Sequence, residues 1–414
     1  MAAGSKDGVS KVREWSQPLG VSLAMVTLAS SLIAVPLSAA GQLNLAGGQM
    51  TAWVISIYTI PCLLGLLLSL YFRQPLLLTG NIFVLIFVVS LQGRVPFAEL
   101  AGASIVAGAA VVAITGLGLT EHLSQLIPEP VVVGLLAGST LPFVAGIFTG
   151  MGSEPVVIGL AFLAFIVGKK YLDNRVPAIF LALVVGIGAA AILGKFGTGS
   201  TEGALPALTP PILTWSAILT VTPVMVVLVV LQSNVPSLIF LRGEQYRPPY
   251  RLLNYVSGVG TMAASLLGPV GLSLSLPATA MVAGPDAGPQ RQRFRAVVMA
   301  SSIFVALTPL AVFAAGAASI LPLELLVAIA GLAVIGVLAM ALKRITSGPL
   351  TLGPLVAFAV ALSDLSMLGF GPYFWSLVFG VGVAWALERD GINELRRRAA
   401  EQSAKRQVGG ESTL

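Results

Sequence analysis

Three short runs in this 414-residue chain have the residue types and spacing to hold a small polar ligand. Gln232, Ser233 and Asn234 stand together inside the otherwise aliphatic run from Val224 to Val235. Thr79, Gly80 and Asn81 follow Leu76-Leu77-Leu78, while Ser273 and Ser275 alternate with leucines ahead of Pro277 and Thr279. Amides and hydroxyls can donate hydrogen bonds without bringing charge into apolar surroundings, which is chemistry for recognising a ligand rather than transforming it. Catalysis is poorly provided for. The chain has one His, His122, and one Cys, Cys62, and its apolar runs hold no nucleophile beside a base and no set of metal ligands. No enzyme activity, metal or cofactor is expected, and a single cysteine excludes an internal disulfide.

These residues must be positioned by membrane-spanning helices. The composition is 56% hydrophobic and 10% charged, against about 25% charged in soluble domains. A span needs ~20 apolar residues, so the chain has room for about 14 segments across a lipid bilayer. Apolar runs between polar punctuation place them near 19–38, 50–71, 76–91, 97–119, 130–150, 155–169, 177–194, 216–240, 252–268, 275–284, 296–315, 321–342, 349–364 and 374–388. With the N-terminus inside, all of the 23 basic residues except Arg94 and Lys195 fall on the cytoplasmic side, as the positive-inside rule requires. Both termini, 1–18 and 389–414, are then cytoplasmic. The net charge of +6 is spread over short loops between spans, which excludes a nucleic-acid partner.

The third and tenth segments are not continuous helices. Residues 71–82 pass Pro75 and meet Gly80 and Asn81 after a few apolar residues, and residues 268–279 alternate Leu and Ser up to Pro277. Alternation is a strand signal and proline suits a helical first turn, so each reads as a short extended stretch followed by a half-helix. Unpaired backbone is not tolerated against lipid, so the two breaks belong beside a cavity or against each other. They are the third of each group of seven, and an odd number of spans per repeat turns the second copy over. The chain is thus expected to be an all-α polytopic protein of seven plus seven inverted segments, whose half-helix N-termini point at an anionic ligand. The amides of the eighth segment face the interior, and Ser30 and Ser31 of the first segment lie in the matching position. Asn234 and Pro236 should also loosen the eighth helix and free carbonyls there.

On these residues the chain resembles the benzoate:proton symporter family, which is related in fold to nucleobase permeases and sulfate-type anion transporters. The resemblance is carried by Gln232-Ser233-Asn234-Val235-Pro236 with Leu241-Arg242, Tyr246 and Pro248, and by Gly284-Pro285-Asp286-Ala287 with Pro289 and the Arg291 to Arg295 cluster. Tyr71-Phe72-Arg73-Gln74-Pro75 and Ala29-Ser30-Ser31 add to it. Two stretches depart from the family pattern: Gly80 to Leu85 replaces a Trp-Ser-Thr-Pro-Gly-Ala run, and Ser273 stands in place of an Asn.

The resemblance implies a core domain from 19–119 and 216–315, a gate domain from 130–194 and 321–388, and a homodimer in a bacterial inner membrane. It implies a secondary transporter that moves a small organic anion, an aromatic or other carboxylate such as benzoate, with a proton as coupling ion. Substrate is expected at Thr79, Gly80, Asn81, Gln232, Ser233, Asn234, Ser273, Ser275 and Thr279, with Ser30 and Ser31 behind them. The alternatives are a nucleobase or sulfate-like anion as cargo, or a passive anion channel. Of the acidic residues, Glu99, Glu324 and Asp364 come nearest the membrane interior, and Asp364 is the candidate for proton coupling.

Overall fold

The computed structural model describes residues 4–43, 45–91, 93–172, 177–197, 203–313, 316, 320–398 and 401. Among these the helices make up nearly all the regular structure, apart from one pair of three-residue strands and an isolated Met367–Phe370 bridge. Stretches Gln17–Gln42, Gly47–Phe72, Phe97–Gly116, Glu129–Ser153, Trp215–Gly243 and Leu323–Ser347 are long and apolar enough to cross a membrane. Shorter apolar helices lie between them.

The first half runs α1 (Gly4–Ser31), α2 (Ala34–Gln42), α3 (Gly47–Val54), a π-helical turn (Ile55–Thr59), α4 (Ile60–Phe72), strand β1 (Leu78–Gly80), α5 (Ile82–Ser90), α6 (Phe97–Gly116), α7 (Thr120–Leu126), α8 (Glu129–Ser153), α9 (Pro155–Tyr171) and α10 (Ala178–Ile192). The second half runs α11 (Trp215–Val227), a π-helical turn (Leu228–Asn234), α12 (Val235–Gly243), α13 (Tyr250–Ala264), β2 (Leu272–Leu274), α14 (Leu276–Ala283), α15 (Phe294–Ala306), α16 (Leu323–Ser347), α17 (Leu352–Leu362) and α18 (Pro372–Leu387). Most boundaries fall within a few residues of the hydropathy reading. One exception is the connection around His122, which coils into α7 instead of remaining a loop and leaves His122 exposed. Another is the eleventh segment, whose α-helix stops at Ala306 and gives way to a 3-10 turn over Thr308–Phe313.

Proline explains where the long helices lose regularity. A proline cannot donate to the carbonyl four residues earlier and its ring crowds that carbonyl. Pro36 therefore opens the first span at Leu32–Ile33, Pro61 follows the π turn at Ile55–Thr59, and Pro236 follows the one at Leu228–Asn234. The π turn ahead of Pro236 is the loosening expected from Asn234 and Pro236, whereas the one in the second span was not foreseen.

The strands pair antiparallel with Leu78 opposite Leu274, Thr79 opposite Ser273 and Gly80 opposite Leu272. Backbone beyond this pairing is satisfied by polar side chains on the surrounding helices, as burial demands. The Asn81 amide donates to the Gly271 carbonyl at 2.7 Å. Leu272 N–H donates to Thr261 Oγ1 at 2.8 Å, Leu274 N–H to Asn234 Oδ1 at 2.9 Å, and Leu76 N–H to Ser69 Oγ at 3.1 Å. The Asn234 amide donates in turn to Asn254 Oδ1 and Ser257 Oγ, so one buried network ties the π-helical turn of the eighth span and α13 to β2.

At the ends of the bundle, charges act as caps. Glu388, just past α18, accepts hydrogen bonds from the Thr351, Leu352 and Gly353 amides at 2.6, 2.9 and 2.8 Å and so caps the N-terminus of α17. Arg293 donates to the Ala283 carbonyl that ends α14 and pairs with Glu244 at 2.7 Å. Beside that pair, burial pushes the Tyr246 phenol up to about 12, against the opposing pull of Arg293.

Asn234→Leu strands the Leu274 N–H in an apolar interior, at a cost of about 1–3 kcal/mol. A lowered unfolding temperature in detergent is expected, whereas Ser301→Ala, which removes a buried hydroxyl without a partner among the described residues, is expected to leave it unchanged or higher. A second expectation concerns pH. Partial burial would raise the Glu388 carboxyl, but the three amides outweigh it and hold the group below its usual range. Its stabilisation is therefore complete above the ordinary glutamate value of about 4.3 and lost as pH falls through the lowered value. Melting curves of wild type and Glu388→Gln between neutral and acid pH should converge at the acid end.

Candidate functional site

Strand β1 lies against a cavity of about 320 Å³. Thr79 and Gly80 of β1, Ile82 and Phe83 opening α5, and Ser275, Pro277 and Ala278 opening α14 line one part of it. Leu28, Ala29 and Leu32 of the first span, Tyr58 and Cys62 of the second, and Phe304 of α15 contribute further wall, as do Ala333, Gly336, Val337 and Met340 of α16. The surface is mostly aliphatic and aromatic. Among the described residues its polar atoms are hydroxyls, one thiol and backbone, and no charged side chain lines it.

The close approach of backbone that shapes this cavity depends on Gly80. A β-carbon there would sit 2.5 Å from the Ile57 carbonyl, in the π turn that Pro61 follows. The irregular second span and the bare α-carbon of β1 are therefore fitted to each other.

The two half-helices differ at their N-termini. Asn81 caps α5 through its own side chain, whose Oδ1 accepts from Phe83 N–H at 2.9 Å and Val84 N–H at 3.2 Å. Its amide nitrogen donates to Ser233 Oγ at 2.9 Å and to the Leu228 carbonyl at 3.3 Å, where the π turn of the eighth span begins. At α14 the corresponding residue, Ser275, makes no capping bond, and among the described residues the Ala278 N–H has no hydrogen-bond partner. The N-terminus of α14 therefore keeps donors and the positive end of its dipole facing the cavity, while α5 has spent its donors on Asn81.

The structure sorts the residues singled out from the sequence into groups. Thr79, Gly80 and Ser275 line the cavity. Asn81, Ser233 and Asn234 are buried and hydrogen-bonded to one another's surroundings, in the network that holds the strands. Gln232, Ser273 and Thr279 are buried as well, with Gln232 Oε1, Ser273 Oγ and Thr279 Oγ1 unpartnered among the described residues. Ser30 lines a second cavity of about 440 Å³, which also takes in Thr59, Phe180, Thr308 and Leu326. Ser31 ends α1, and its side chain lies outside the described residues. Asp364 pairs with Arg94 at the surface, and Glu99 accepts a hydrogen bond from Thr214.

Three aromatic residues of the cavity, Tyr58, Phe83 and Phe304, were not picked out from the sequence. Tyr58 and Phe304 stack with ring centroids 6.0 Å apart and line both cavities, so they form the wall between them. A tyrosine in the middle of an apolar span was the available signal, since its hydroxyl needs a polar outlet. Asn254, Ser257 and Thr261 were also passed over, although their spacing puts a polar stripe on one face of α13.

The family profile described as "Benzoate membrane transport protein" (BenE) matches residues 16–386. The benzoate membrane transport protein of Acinetobacter baylyi is 22% identical over 377 residues, covering 89% of this chain and 95% of that protein. The inner membrane protein YdcO of Escherichia coli is 24% identical over 344 residues, covering 82% and 87%. In fold, the chain is similar to the transmembrane domain of the cyanobacterial bicarbonate transporter BicA, with a TM-score of 0.56 at 16% identity over 89% of this chain and 98% of that one.

Gly80→Ala forces β1 away from the second span. Overpacking of this kind typically costs about 1–3 kcal/mol, so a lower unfolding temperature is expected in a thermal melt of the purified protein.

Proposed function

This chain belongs to the benzoate membrane transport (BenE) family of multi-pass membrane transporters, and from that premise we propose that it is a proton-coupled secondary transporter of a small aromatic carboxylate such as benzoate. The observation that carries the reading is the cavity at the strand pair. Its aromatic and aliphatic walls suit a ring, and the open N-terminus of α14, with the Ser275 hydroxyl and the Ala278 N–H, suits a carboxylate. Neutral donors on a short helix can hold an anion that must also be released, with no buried cation to desolvate.

In this reading the 14 segments form two inverted groups of seven. A core domain, 19–119 with 216–315, carries the strands and half-helices, and a gate domain, 130–194 with 321–388, supplies α16 as the facing wall. Thr79, Gly80 and Ser275 contact the substrate. Asn81, Ser233 and Asn234 lie behind them and fix the strands. Gln232, Ser273 and Thr279 are buried beside them with hydroxyl or carbonyl oxygens that, among the described residues, are free for the substrate's surroundings, and Ser30 and Ser31 flank the passage on the side of the second cavity. Relative movement of the two domains would expose the site to either side, with the Tyr58–Phe304 stack separating it from the second cavity. Both termini lie in the cytoplasm, the membrane is a bacterial inner membrane, and the protein works as a homodimer.

A sulfate-like anion is a poorer fit, because most of the wall is apolar and would strip its hydration without replacing it. The decisive measurement is uptake of labelled benzoate into proteoliposomes under an inward proton gradient. Accumulation that collapses with a protonophore is expected, and flux that only equilibrates would replace the transporter by a channel. Ser275→Ala should weaken benzoate affinity by roughly 10- to 150-fold, the equivalent of about 1.5–3 kcal/mol for a hydrogen bond to a charged group. Unchanged affinity in that variant would remove the carboxylate from the α14 N-terminus.

A further inference from the structure

Two glycines lie five residues apart on α16, and packing accounts for only one of them. At Gly331 a β-carbon would sit 2.3 Å from the Phe143 carbonyl of α8, so the two helices come too close there for any side chain. At Gly336 a β-carbon would meet no atom within 4 Å. Its φ is not positive either, so no turn geometry demands glycine. Glycine in a helix interior is disfavoured relative to alanine because it gains more freedom in the unfolded chain. The 25-residue helix thus gives up stability at a position where neither contact nor backbone requires it.

What Gly336 does have beside it is the cavity. It belongs to the stripe Ala333, Gly336, Val337 and Met340, spaced to lie on one helix face, and all four line the cavity with Tyr58 and Ser275. Because a β-carbon at 336 would have nothing within 4 Å, a side chain added to that wall has room to take up cavity space.

We propose that Gly336 sets the size limit of the substrate: the space a side chain would fill there is left for a substituent or second ring on the aromatic carboxylate, so the transported class extends beyond unsubstituted benzoate. The inference rests on the cavity being the substrate site. In a hydrophobic pocket the fit of a single methylene is worth about 10- to 200-fold in discrimination, so one residue in this position can decide which homologue is carried.

The test uses the purified full-length protein as wild type, Gly336→Ala and Gly336→Leu, with dissociation constants for benzoate, 4-tert-butylbenzoate and 2-naphthoate taken from ligand-induced shifts in unfolding temperature. Unliganded Gly336→Ala is expected to melt at or above the wild-type temperature, which separates a change in the cavity from damage to the fold. Wild type should bind all three acids. Gly336→Leu should weaken the two larger acids by at least tenfold relative to benzoate, with Gly336→Ala in between. Binding of benzoate alone by wild type, or equal losses for all three acids in the variants, would overturn the role of Gly336 and leave the transporter reading standing. Failure of wild type to bind any of the three would overturn the reading of the cavity itself, and this inference with it.

Discussion

Backbone that leaves the helix in the middle of a membrane protein must find every hydrogen bond from protein, and this constraint organises the molecule. Two chain segments give up helical bonding at Leu78–Gly80 and Leu272–Leu274, and they answer each other by pairing. What the pairing leaves over is taken up by Asn234, Thr261 and Ser69, each contributed by a different stretch of chain. The conspicuous polar residues of the apolar spans are thus largely committed to holding the strands. Their rigidity is what gives the flanking half-helices a fixed position from which to present their N-termini.

The same constraint is met differently on the two sides of the strand pair, and this asymmetry bears on function. Asn81 closes the N-terminus of α5 from within, whereas Ser275 leaves that of α14 open. The two half-helices beside the strands therefore present one closed N-terminus and one open one. The prolines act in concert with this arrangement. Pro61 and Pro236 put π turns in the second and eighth spans, and the carbonyls there are the groups against which Gly80 packs and to which Asn81 donates.

Charge is kept to the ends of the bundle. Arg94 and Lys195, which the charge distribution sets apart from the other basic residues, each pair with a carboxylate, Asp364 and Glu154. Glu388 and Arg293 serve as helix caps. Among the described residues the cavity is lined by apolar side chains, hydroxyls, one thiol and backbone dipoles. An ion brought there meets partial charges already oriented by the fold, and these need no counter-ion when the cavity is empty.

The sequence by itself determined that the chain is built of apolar helices and where most of them roughly begin and end, because bilayer-length runs of apolar residues are a property of composition along the chain. It also determined that residues 71–82 and 268–279 are broken, because proline, glycine and Leu-Ser alternation act locally on the backbone. It pointed to Gln232, Ser233 and Asn234 as interior residues on solvation grounds. Which of these polar groups would be consumed by structure was decided only in three dimensions. Hydrogen-bond donors are exhausted by whichever partner lies nearest, and Asn81 meets Ser233 across 152 positions of sequence. For the same reason Tyr58, Phe304 and Gly336 gained their significance only from the tertiary structure. A cavity is bounded by surfaces from distant helices, and no local pattern records the space that none of them fills.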